Sequence, residues 1–128
     1  MSTVRVSFQK ESRATFTRPN DTTTYAAGDV MANSTTAAVV MTFAACGKGN
    51  GGAGYIVGAN LIDGANQTLK LDADLFLFST APASYGNDNE AFTPTDAELL
   101  ECVGVIHFAT GDFKSGNATA GATGNAYC

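Results

Sequence analysis

Asp72 and Asp74 stand two residues apart in L-K-L-D-A-D-L-F-L-F-S (69–79). On a strand they share one face, about 7 Å apart. That spacing suits a divalent cation or an acid/base pair in principle. Lys70 lies on the same face and partly neutralises them, so a solvated face is expected. Asp88 and Glu90 offer a second, weaker calcium set in a loop. His107 is the only histidine. Nucleophilic catalysis needs a Cys or Ser beside such a histidine and a carboxylate to orient it. Cys102 is five residues away and falls on the opposite strand face by parity. One histidine alone cannot build a His-based zinc site. His107 is therefore expected to be a half-buried strand residue.

Gly49-x-Gly51-x-x-Gly54 matches the dinucleotide fingerprint letter for letter. The fingerprint works only where a helix opens behind the glycines and presents its N-terminus to a pyrophosphate. Here Tyr55-Ile56-Val57 follows and has the composition of a strand, so a surface hairpin loop is expected. The three cysteines, at 46, 102 and 128, are widely spaced and odd in number. They form neither a disulfide framework nor a C-x-x-C site. Cys46 and Cys102 are expected as small core residues and Cys128 as exposed. The sequons at Asn33, Asn66 and Asn117 are read as chance in a chain rich in Asn and Thr. No acid, base and nucleophile constellation emerges, so an enzyme is not expected, and neither is a cofactor or metal.

The elements that position these residues follow from pattern and bulk. The 128 residues suit one domain, long enough to bury about two-thirds of its unfolded surface. Apolar residues make up 45%, many of them Ala, so a modest core is expected. Charged residues are only 15%, against the common ~25%, which suggests surface hidden in an assembly. The net charge of −5 argues against a nucleic-acid partner. No stretch reaches the ~18 apolar residues of a membrane span, so no membrane partner is expected. The N-terminal sequence lacks an apolar run of signal-peptide length, which gives the expectation of production without secretion. Arg5, Lys10 and Arg13 make the first thirteen residues locally basic, either a solvated end or an arm for an acidic surface.

Leu69–Ser79 is the expected central strand, because Leu69, Leu71, Ala73, Leu75 and Leu77 alternate on one face. The opposite face changes from Lys70, Asp72 and Asp74 to Phe76 and Phe78, so its second half is expected to be covered on both sides. Further strands are expected over 37–45, 55–62 and 102–108. In the last, Val103, Val105 and His107 share one face and Ile106 and Phe108 the other. Thr95-x-x-Glu98 has capping-box spacing and predicts one short helical turn. Pro19 extends Arg18, and an ion pair from Arg18 to Asp21 or Asp29 is expected to fix that loop. These elements divide the chain into an N-terminal arm or edge strand (1–15), a β-sandwich core (16–113) and a small-residue extension (114–128).

The stretch F-T-R-P-N-D-T-T-T-Y-A-A-G-D-V (16–30) resembles the opening of a group of small tailed-phage structural proteins, F-x-R-P-x-D-T-x-x-Y-x-x-G-D. Phe16, Arg18, Pro19, Asp21, Thr22, Tyr25, Gly28 and Asp29 match, and A-N-S-T-T-A (32–37) continues the match. G-Y-I-V-G-A (54–59), D-L-F-L-F-S-T-A-P (74–82) and an N-x-x-F-T loop (89–93) are also similar to the group. The resemblance implies a head-decoration, or cement, protein. It implies an all-β antiparallel sandwich of jelly-roll type with one short helical turn. It also implies a homotrimer on the outer capsid surface, bound to the major capsid protein. Group members carry a further hairpin near A-R-x-A-Y-T-P that has no counterpart here. Either the fold closes differently or a neighbouring subunit covers an open sheet edge. Val4, Arg5, Val6, Phe8, Arg13, Phe16, Arg18, Tyr85, Asn87 and Phe92 are the expected capsid or intersubunit contacts. The alternative is a carbohydrate-binding β-sandwich of a phage tail or fibre, which the absence of Trp disfavours.

Overall fold

Two alternating stretches form the longest pairing among the described residues. Ala73–Phe78 (β2) and Cys102–Phe108 (β3) run antiparallel, with Asp74 opposite His107, Phe76 opposite Val105 and Leu77 opposite Gly104. The register shifts after Leu77, so Phe78 pairs with Cys102 and Val103 is the extra residue of a bulge. Parity sorts the faces as period two requires. Ala73, Leu75, Leu77, Cys102 and Ile106 are half-buried and Phe108 is buried, while Asp74, Val103, Val105 and His107 are exposed. The computed structural model describes residues 9–47, 49, 51–64, 70, 72–115 and 126–127, the last two and Ser115 by backbone alone. The expected positions Val4, Arg5, Val6, Phe8, Leu69, Leu71 and Cys128 lie outside the described residues.

Contacts divide the chain into two units, one of residues 1–55 and 83–94, the other of 56–82 and 95–128. The second unit holds the β2–β3 ribbon. Before it comes the short strand Ile62–Asp63 (β1), and after it Lys114–Ser115 (β4) and Ala126–Tyr127 (β5). These three form a sheet in the order β1-β5-β4, antiparallel throughout. Residues 114–115 and 126–127 thus pair as strands, where the small-residue composition led us to expect an irregular extension. Between β2 and β3 a four-residue helix, Asp96–Leu99 (α1), is closed by the expected capping box. Glu98 N–H donates to the Thr95 hydroxyl, and Thr95 N–H to the Glu98 carboxylate. Acidic residues in its first turn suit the positive end of a helix. Ser79 fastens the ribbon end by donating its N–H to the Glu101 carbonyl at 2.9 Å and its hydroxyl to the Glu101 carboxylate at 2.6 Å.

The first unit contains an isolated antiparallel bridge, Asp29 to Ala91, and no named strand among the described residues. The strand expected over 37–45 does not form. Asparagine amides take the hydrogen bonds a ladder would have used. Ala38 N–H donates to Asn87 Oδ1 at 2.9 Å, and Val39 N–H to Asn33 Oδ1 at 2.8 Å. The strand expected over 55–62 is reduced to its end at β1, and residues 51–60 are exposed throughout. Phe76, expected to be covered, is 37% exposed. Cys46, expected in the core, is exposed and donates to the Phe43 carbonyl, while Cys102 is half-buried. The described residues are thus β-rich with little helix, and their buried apolar side chains are Ala32, Ala38, Phe108 and Pro82.

Candidate functional site

The densest polar arrangement among the described residues is built in the first unit by residues 83–92 folding against 18–38. Gly28 (φ 91°) and Gly86 (φ 79°) supply left-handed backbone at the two bends. A Cβ at Gly86 would meet the Ala91 carbonyl at 3.2 Å and Val30 Cγ2 at 3.3 Å, so the loop approaches its partner closely there. Asn89 (φ 65°) makes the tip, a position asparagine tolerates better than most residues. The two stretches then pair. Val30 N–H donates to the Glu90 carbonyl at 2.7 Å, Asn89 N–H to Val30 at 2.9 Å and Phe92 N–H to Gly28 at 2.9 Å. Glu90 Oε2 accepts from both the backbone N–H and the side-chain amide of Asn87.

This pairing turns Asp88 inward, where it is only 3% exposed. Its Oδ1 accepts from Ala32 N–H at 2.7 Å and from the Tyr25 hydroxyl at 2.8 Å. Its Oδ2 faces Arg18 Nη2 at 3.5 Å. The Arg18 guanidinium also lies over the Tyr25 ring, 4.3 Å from its centre. Burial alone would push the Asp88 carboxyl up. The Ala32 amide, the Tyr25 hydroxyl and Arg18 together hold it below its ordinary value. Burial, and then the bond donated to Asp88, push the Tyr25 hydroxyl well above its ordinary value. A carboxylate committed to three donors and closed to solvent is a clamp. Glu90 is exposed, and its Oε2 is taken up by Asn87.

The Arg18 partner corrects an expectation. Asp21 accepts from Thr23 N–H and Asp29 from Ala26 N–H, so these nearer carboxylates cap their own turns and leave Arg18 to Asp88, seventy residues away. Among the expected contact residues, Arg13 is exposed and paired with Glu11 at 3.1 Å. Phe16, Arg18, Tyr85, Asn87 and Phe92 are half-buried. Tyr85 donates to the Ala38 carbonyl at 2.6 Å. With Asn87 it lines an open concavity of about 340 Å³, in which it is the only aromatic. Nothing in the sequence marks Asp88 as the pivot. A short carboxylate between two asparagines reads as a loop tip.

In the second unit, Asp72 and Asp74 are drawn to different partners. Asp72 accepts from Thr110 N–H at 2.5 Å, and this bond holds its carboxyl below the ordinary value. Asp74 pairs across the ribbon with His107 Nδ1 at 2.7 Å. Lys70, expected to neutralise both, reaches Asp63 at 2.8 Å. His107 is exposed rather than half-buried, because its strand face carries no covering layer among the described residues. The Asp74 hydrogen bond pushes the imidazole above its ordinary 6.5. The pair therefore stabilises the fold below pH 6.5, and that contribution is lost as pH rises through the raised value. An NMR titration should place the His107 midpoint above 6.5, and Asp74→Asn should return it toward 6.5.

The glycine-rich stretch closes a turn, with Gly52 N–H donating to the Gly49 carbonyl at 3.0 Å, and the chain continues exposed without a helix. That geometry is unlike a pyrophosphate cradle. Compared with protein-family models, curated proteins and solved structures, the chain matches none of them.

Proposed function

We propose that this protein decorates the outer surface of a tailed-phage head. In this reading it is a small antiparallel β-sandwich of jelly-roll type that acts as a homotrimer and cements neighbouring major capsid protein subunits. The observation that carries the proposal is the distribution of apolar side chains. Ile56, Val57, Val103 and Val105 are exposed, while among the described residues the buried apolar side chains are two alanines, one phenylalanine and Pro82. Such a surface suits adhesion. The resemblance supplies the phage context. Its residues Arg18, Tyr25, Gly28 and Asp29 meet the loop ending at Phe92 in one polar junction. That gives the two matching segments a shared scaffold role. The mechanism is multivalent: each contact is modest, and a trimer that engages several capsid subunits is retained through their combination.

Co-sedimentation with undecorated capsids tests the reading. The full chain should pellet with capsids, and a chain lacking residues 1–14 should do so much less. Unchanged binding of the truncated chain would remove the arm from the mechanism, and no binding by the full chain would remove the decoration reading. The carbohydrate-binding alternative rests on the concavity at Tyr85. Sugar platforms usually offer several aromatic faces, and this one offers a single tyrosine whose hydroxyl is already committed. Glycan-array binding with no capsid binding would reverse the preference.

A further inference from the structure

Residues 11–18 alternate in burial. Ser12, Ala14, Phe16 and Arg18 are half-buried, and Glu11, Arg13, Thr15 and Thr17 are exposed. A period of two marks an extended chain with one side turned into the first unit. Its far end is fixed by Arg18 at the Asp88 carboxylate. Its near end reaches carbonyls 32 and 37 residues further on. The Ser12 hydroxyl donates to the Ala44 carbonyl at 2.7 Å, and Lys10 Nζ to the Gly47 carbonyl at 3.0 Å. This part of the expected N-terminal arm is therefore tied down at both ends.

The two near-end bonds bracket Ala45, whose φ is 57°. A left-handed alanine is strained and persists only where its surroundings hold it. Ser12 grips the carbonyl before it and Lys10 the carbonyl two residues after it. Cys46 Sγ closes the same turn on the Phe43 carbonyl at 3.0 Å. The turn then feeds the glycine-rich loop. A Cβ at Gly47 would meet the Gly52 carbonyl at 3.1 Å and the Gly49 carbonyl at 3.2 Å. The chain passes close to itself there, and Lys10 holds the root of the crossing.

We propose that residues 9–13 are a strap latched by Lys10 and Ser12 over the 43–47 turn. Closed, the strap holds Ala45 in its strained form and pins the root of the glycine-rich loop. Lifted, it lets both relax. The strap opens from its near end, because the Lys10 and Ser12 bonds are exposed and each is weak alone. Arg18, by contrast, meets a carboxylate closed to solvent. The loop leads directly into Tyr55-Ile56-Val57, which is exposed. In the decoration reading the strap thus governs how that adhesive stretch is presented. That regulatory role rests on the decoration reading; the latch itself does not.

Trypsin cleavage after Arg13 tests the strap. Each rate is taken relative to a peptide of residues 9–18 carrying the same substitution, which cancels the protease's own sequence preference. Wild type is expected to be cut at least about tenfold more slowly than its peptide, because cleavage waits for opening. Ser12→Ala should raise the relative rate about fivefold, the effect of losing one modest hydrogen bond. Ala45→Gly changes no strap residue, yet it should lower the rate about threefold, because glycine takes left-handed backbone without strain. Hydrogen exchange at Leu75 and Ile106 in the second unit should be unchanged in all three proteins. Wild-type cleavage at the peptide rate overturns the proposal, as does a Ser12→Ala rate equal to wild type. An Ala45→Gly rate at or above wild type also overturns it, because strap and turn are then uncoupled. So does exchange at Leu75 and Ile106 that rises with cleavage at Arg13, since the whole chain is then opening. Capsid co-sedimentation judges the decoration reading separately.

Discussion

Asp88→Ala is expected to destabilise the protein by about 3–5 kcal/mol, the range for removing one partner of a buried ion pair. Three donors lose their common acceptor at once: the Ala32 amide, the Tyr25 hydroxyl and Arg18. The cost is the desolvation of groups left unpaired, which exceeds the net value of the bonds themselves. Asp88→Asn keeps an oxygen for the amide and the hydroxyl but replaces the acceptor facing Arg18 with an NH2 donor, so it should cost less than Asp88→Ala while still costing something. Urea denaturation of the three proteins checks the ordering, and equal stability of Asp88→Ala and wild type would remove the clamp. The same group sets an acid limit. Its folded-state value lies below the ordinary 3.8. Its stabilisation is therefore complete above that value and is lost as pH falls through the depressed one. Wild type should lose stability below pH 3.8 more steeply than Asp88→Asn.

Phe108→Ala is the second large effect, expected at about 3 kcal/mol, the low end for a buried phenylalanine. Phe108 is 5% exposed and pairs with Ala73 at the end of the ribbon. Ala73 is too small to fill the space left behind. The unit has few other buried apolar side chains to share the loss, so the truncation should also loosen the β2–β3 pairing. Phe108→Leu, which retains most of the volume, should cost about 1 kcal/mol. The denaturation midpoint reads both. Hydrogen exchange at Leu75 and Ile106 distinguishes local loosening from global loss.

The ribbon was legible because its signals are local. Alternation over 102–108 placed Val103, Val105 and His107 on one face and Ile106 and Phe108 on the other, and the structure has them so. The capping box at Thr95 and Glu98 is likewise a four-residue signal. What could not be read depends on partners distant in the chain. Val39, Met41 and Phe43 alternate as a strand would, but Asn33 and Asn87 take the amides of Val39 and Ala38, and no periodicity reports a side-chain amide 49 residues away. Arg18 had two near carboxylates by sequence, and both were consumed by their own turns. Tyr55–Val57 has strand composition but belongs to no strand among the described residues, and composition cannot foretell that.

The junction at Asp88 also dictates an order of events as the chain is made. Tyr25, Ala32 and Arg18 emerge during synthesis more than fifty residues before the carboxylate that gathers them. Until the stretch to Phe92 has followed, residues 18–38 cannot close their polar contacts. The entropy of closing so long a loop grows only logarithmically with length, so the delay is kinetic, and such distant contacts slow folding. A nascent chain halted before residue 88 should remain protease-sensitive across 18–38, however complete the local turns at Asp21 and Asp29.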